Sequence, residues 1–112
     1  MSSYRLTVRT GARVHKERHG DLRAAVTALA ARGEEIAATA DGRASGGRLM
    51  RRFEPVQQVV GRLEIKGGGV SGGVDIRGDG STEAFTGRMG RSLVEQRGGE
   101  SPFDALARAL GV

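Results

Sequence analysis

Few side chains in this sequence have the type and spacing that chemistry requires. His15 and His19 stand four residues apart, a spacing at which two imidazoles on one helix would converge on a metal ion. Their neighbours alternate as in a strand, which separates the two by roughly 13 Å at about 3.3 Å per residue, so no shared ion is expected. Asp75, Asp79 and Glu83 lack the close Asp-x-Asp-x-Asp spacing of a calcium loop. Cysteine is absent, and neither a G-x-S-x-G sequence nor another nucleophile signature accompanies the histidines. Glu34 and Glu35 fall on the solvated side of a helix. Glu83 is more interesting, because the expected hairpin register turns it toward the apolar face beside Ile76. The run KGGGVSGG (66–73) leads into a strand where a phosphate-cradling loop needs a helix, and it reads as a hairpin loop. Arg77-Gly78-Asp79 spells an adhesion tripeptide, but the turn that follows explains the same residues. The expectation is a non-enzymatic protein with no cofactor and no metal.

Charge is the stronger signal. The 112 residues carry 18 Lys and Arg against 13 Asp and Glu, and 16 of the 18 are Arg. A net charge of +5 draws a chain toward polyanions. Two segments concentrate it. Residues 1–20 hold Arg5, Arg9, Arg13, Lys16 and Arg18 against Glu17 alone, and residues 43–52 hold Arg43, Arg48, Arg51 and Arg52 with no acid. No apolar run approaches the roughly 20 residues of a membrane span. The opening MSSYRLTVRT has no apolar stretch of the kind that directs export. With no cysteine to oxidise, a cytoplasmic location is the expectation.

The elements that would position these charges follow from periodicity. Tyr4, Leu6 and Val8 alternate with Arg5, Thr7 and Arg9, the period of a half-buried strand. A three-residue break, Thr10-Gly11-Ala12, would set Val8 opposite Val14. It would also turn Lys16 and Arg18 to the core side of an edge strand. Residues 21–40 predict a helix capped by Asp21, with Leu22, Val26, Leu29, Ile36 and Ala40 on one face. Gly33 on that face would end a first helix or let a strand approach closely. Further on, Phe53, Gln57, Val59, Leu63 and Ile65 share one parity, with Pro55 at the strand's start. Gly78-Asp79-Gly80-Ser81 predicts a two-residue turn that pairs Val74 with Phe85 and Ile76 with Glu83. A short strand is expected around residues 92–95. Ser101-Pro102-Phe103-Asp104 opens a last helix with a buried stripe of Phe103, Leu106 and Leu110, which Gly111 ends.

The order ββαβββα implies an α+β fold, a single antiparallel sheet with both helices packed on one face. One domain spans 1–112: hairpin and helix over 1–41, a basic Gly/Arg linker over 42–52, and a strand meander with the C-terminal helix over 53–112. The helix-free face would show Arg5, Thr7, Arg9, Arg13, His15, Arg62, Glu64, Asp75, Arg77, Thr86 and Arg88. All four aromatic residues fall on core parity, which leaves no ring for base stacking.

Over residues 4–33, YRLTVRTGARVHKERHGDLRAAVTALAARG, a basic hairpin running directly into a helix resembles the arm-type DNA-binding modules of phage integrases. The resemblance spans under a third of the chain and is one of element order. Where such modules often enter the helix through an aromatic residue and Thr, this chain has His19-Gly20-Asp21, and no residue role carries over. The sequence thus points to a small binding domain that contacts the nucleic-acid phosphate backbone without sequence preference. The candidate contacts to DNA or RNA are Arg5, Arg9, Arg13, Arg48, Arg51, Arg52, Arg62, Arg77 and Arg88. The alternative is a protein-interaction domain, a homodimer or a partner of another protein, using Leu49, Met50 and Val56 as a contact patch.

Overall fold

The computed structural model describes residues 3–40, the backbone of 41–45, and residues 58–87 and 90–112. The elements in chain order are β1 (Tyr4–Thr10), β2 (Arg13–His19), α1 (Leu22–Ser45), β3 (Val59–Gly67), β4 (Val70–Arg77), β5 (Thr82–Thr86), β6 (Ser92–Leu93) and α2 (Pro102–Leu110). The strands form one antiparallel sheet in the order β2-β1-β3-β4-β5-β6. α1 packs on β1, β3 and β4, and α2 packs on β4 and β5. The α+β class and the two-layer arrangement therefore hold, with the sixth strand lying where a short one was expected. No helix among the described residues is long and apolar enough to cross a membrane.

The core is the face that alternation selects. Leu6 and Val8 of β1, Leu63 and Ile65 of β3, and Val74 and Ile76 of β4 form one buried cluster with Ala25, Val26 and Leu29 of α1 and Phe103 and Leu106 of α2. Each fully buried Leu or Ile contributes about 1.5–3 kcal/mol relative to exposure. Asp21 caps α1 by accepting from the Ala24 amide at 2.7 Å. The helix then runs through Gly33 and on to Ser45, past the end expected at residue 40. Gly33 neither ends a helix nor admits a strand. A Cβ there would sit 2.5 Å from Cε1 of Phe103, so the missing side chain lets α2 press against α1. Ser101 and Asp104 form a full capping box, and Gly111 closes α2 in the left-handed conformation. Next to that cap, Glu100 accepts from Arg108 at 2.9 and 3.1 Å and from the Arg97 amide at 2.8 Å. These donors, Arg108 first, hold the Glu100 carboxyl down at about 2.

Two hairpin registers differ from expectation, and a third loop is shorter than expected. The β1–β2 loop has two residues, Gly11 and Ala12, so Val8 faces His15 and Arg9 faces Val14. Because side chains alternate along a strand, one residue less in the loop exchanges the faces of β2. Lys16 and Arg18 move to the helix-free face, and Arg13, His15, Glu17 and His19 turn toward the helices. The β4–β5 loop moves the other way. Arg77 donates its amide to Ser81, and Gly80 donates to Arg77, enclosing Gly78, Asp79 and Gly80. Gly80 at φ 87° supplies the left-handed residue of a three-residue loop. Val74 therefore faces Ala84, Ile76 faces Thr82 and Asp75 faces Glu83. Glu83 and Phe85 lie on the helix-free side, and Thr86 leaves it. In the glycine run only Gly68 and Gly69 form the loop, while Ser71, Gly72 and Gly73 pair with Lys66, Ile65 and Glu64. Val59, expected in the core, is exposed beside the irregularity at Gly61.

Candidate functional site

The helix-free face has two electrostatic regions, set by which strand positions lie opposite one another. Across its central and far part the arginines meet carboxylates. Asp75, 6% exposed, accepts from Arg62 Nε at 2.6 Å and from Arg91 Nη1 at 2.9 Å. Arg77 donates to Glu83 at 2.8 Å, and Arg9 approaches Glu64 at 4.0 Å. The Arg91 guanidinium also lies 4.3 Å from the centre of the Phe85 ring. Phe85 is on the open side but only 3% exposed, so it offers no surface for stacking.

The end of the face near the start of β1 is different. Arg18 of β2 faces Arg5 of β1, and Arg5 faces Lys66 of β3. Three cations therefore stand in one row across three adjacent strands, with Cα atoms about 4.5–5.5 Å apart between neighbours. Lys16 lies two residues along β2 from Arg18 on the same face. All four are exposed. Among the described residues none of them has a carboxylate at ion-pair distance. Arg5, Arg18 and Lys66, with Ser3 and Gly67, line a shallow recess of about 230 Å³. Like charges directly opposite one another weaken a sheet, so this row is an arrangement the fold alone would disfavour.

The expected site residues thus separate. Arg5 belongs to the uncompensated row. Arg9, Arg62 and Arg77 lie on the expected face but are held by acids. Arg13 is on the opposite face, where it lines a groove with His15, Arg32 and Glu35, because the shorter loop turned it over. Arg48, Arg51, Arg52 and Arg88, like the contact patch of Leu49, Met50 and Val56, lie outside the described residues. Lys16, Arg18 and Lys66 were not among the candidates. Lys66 shares parity with Arg62 and Glu64, so alternation alone could have found it. Lys16 and Arg18 required the loop length.

On the helix side of β2, Glu17 is the acceptor for His15 Nε2 at 2.9 Å, His19 Nε2 at 3.0 Å and the Arg32 guanidinium of α1. Burial pushes its carboxyl up, and the donors His19, His15 and Arg32 together outweigh that and bring it below the ordinary value. The cluster ties the edge strand to α1. It also takes the one acid of residues 1–20 away from Lys16 and Arg18, since Glu17 points to the other side of the same strand.

No protein-family model, curated protein or solved structure matches this chain.

Proposed function

We propose that this domain binds the phosphate groups of nucleic acid electrostatically, through Arg5, Arg18, Lys66 and Lys16, without reading base sequence. The observation that supports it is the row of three facing cations with no acid among them, on a face whose other described arginines have acid partners. Arg presents a planar fork of donors suited to phosphate oxygens, and Lys adds a point charge. Among the described residues Phe85 is covered by Arg91, Phe103 is buried and Tyr4 is on the helix side, so base stacking has no part in this reading.

The footprint is smaller than nine arginines would make it. Four cations on duplex DNA give a slope of log affinity against log salt of about −3 to −4, where nine would give about −8. Titrating a labelled duplex across salt concentrations tests this, and absence of binding at about 50 mM salt removes the proposal. Edge-to-edge self-association is the competing reading. The seven-residue β2 edge carries Lys16 and Arg18, charge of the kind that discourages strand addition, which favours the polyanion. Light scattering that finds a stable dimer would restore the alternative.

A further inference from the structure

We infer that the recess beside Ser3 and Gly67 seats a phosphate monoester at the end of a nucleic-acid strand, in preference to internal phosphodiesters. The inference rests on the polyanion reading above and narrows its ligand. Charge density is the first reason. Arg18, Arg5 and Lys66 occupy one row across three strands, a width of about 10 Å at the usual strand spacing, and Lys16 lies beside it. An internal diester brings one negative charge. A phosphate monoester brings about −1.5 to −2 near neutral pH and three strong acceptor oxygens, a closer match to three converging cations.

The boundary of the site is the second reason. The next row along the face holds Lys16, Thr7 and Glu64, and the row after it holds Arg9, Arg62, Asp75 and Glu83, two cations against two acids. Glu64 and Glu83, with side chains 24% and 39% exposed, already take up Arg9 and Arg77, and Asp75 takes up Arg62, so a backbone continuing across the sheet would meet balanced charge and no further uncompensated row. The recess can accept the end of a polyanion where the face cannot accept its length. A third reason is that facing cations repel, and a dianion between them removes that repulsion where a single charge removes less of it.

The test uses the full chain and three short oligonucleotides of one sequence, bearing a 5′-phosphate, a 3′-phosphate or hydroxyls at both ends. Fluorescence anisotropy at about 50 mM salt should show at least one phosphorylated form binding about tenfold tighter than the hydroxyl form. Lys66→Gln and Arg5→Gln should each cut that ratio toward one, with circular dichroism confirming the fold. Equal affinity for all three oligonucleotides overturns the inference and leaves the general polyanion reading standing. Discrimination that survives both substitutions also overturns it, because the seat would then lie elsewhere. If none of the three binds, the broader reading fails with it.

Discussion

Two regions of one sheet face use the same residue type to opposite ends. Around Asp75, the arginines Arg62 and Arg91 close over a buried carboxylate, and Arg91 covers Phe85, so charge there fastens β6 and its approach to the sheet. A few residues away, Arg5, Arg18 and Lys66 face one another with no acid between them. The difference is not one of composition, since both regions are basic in sequence. It is set by which positions the registers bring opposite: Asp75 opposite Arg62 in one region, cation opposite cation in the other. An arginine count therefore measures attraction to polyanions poorly until its partners are known.

The contrast breaks most visibly at Asp75. Asp75→Asn leaves Arg62 and Arg91 facing a group that no longer balances them, and should cost about 2–3 kcal/mol of stability in urea denaturation. Where the variant is folded, it should bind polyanions more tightly than the parent, because two guanidinium groups are released. Lys66→Glu acts in the opposite sense. It should weaken binding to a labelled duplex about tenfold at low salt, while a new cross-strand pair with Arg5 raises stability by about 0.2–1 kcal/mol. A substitution that weakens binding and stability together would make the row a structural feature like the Asp75 cluster. Arg77→Gln, on the acid-paired side, should change affinity less than about twofold in the same titration.

The smallest effect separates both regions from a third ion pair, remote from the face. Glu100 has its carboxyl lowered from 4.5 to about 2 by Arg108 and the Arg97 amide. A depressed carboxyl stabilises the fold above its unfolded value, and that contribution is lost as pH falls. The Glu100 share should therefore be complete above about 4.5 and fade toward about 2. Glu100→Gln should flatten the acid limb of a stability–pH curve in that window and leave polyanion binding at neutral pH unchanged.

Local chemistry in the sequence determined the elements. Asp21 and Ser101-Pro102 start helices where they stand, Gly111 stops one, and the alternation of Tyr4, Leu6 and Val8 or of Leu63 and Ile65 selects the buried side of each strand. These are decisions within a few residues, made by caps and by period. The pairing between strands was legible only in part, because it depends on loop lengths. Gly11-Ala12 closes in two residues where three were expected, and Gly78-Asp79-Gly80 in three where two were expected.

With a side-chain period of two, each of those single-residue differences turns a whole strand over. That is how Arg13 left the open face, how Lys16 and Arg18 joined it, and how Glu83 came to meet Arg77. The sequence by itself determined a basic α+β chain and the inward face of its central strands. Only the tertiary structure decided which cations meet carboxylates and which meet one another, because charges interact across strands and only closing the hairpins fixes those neighbours.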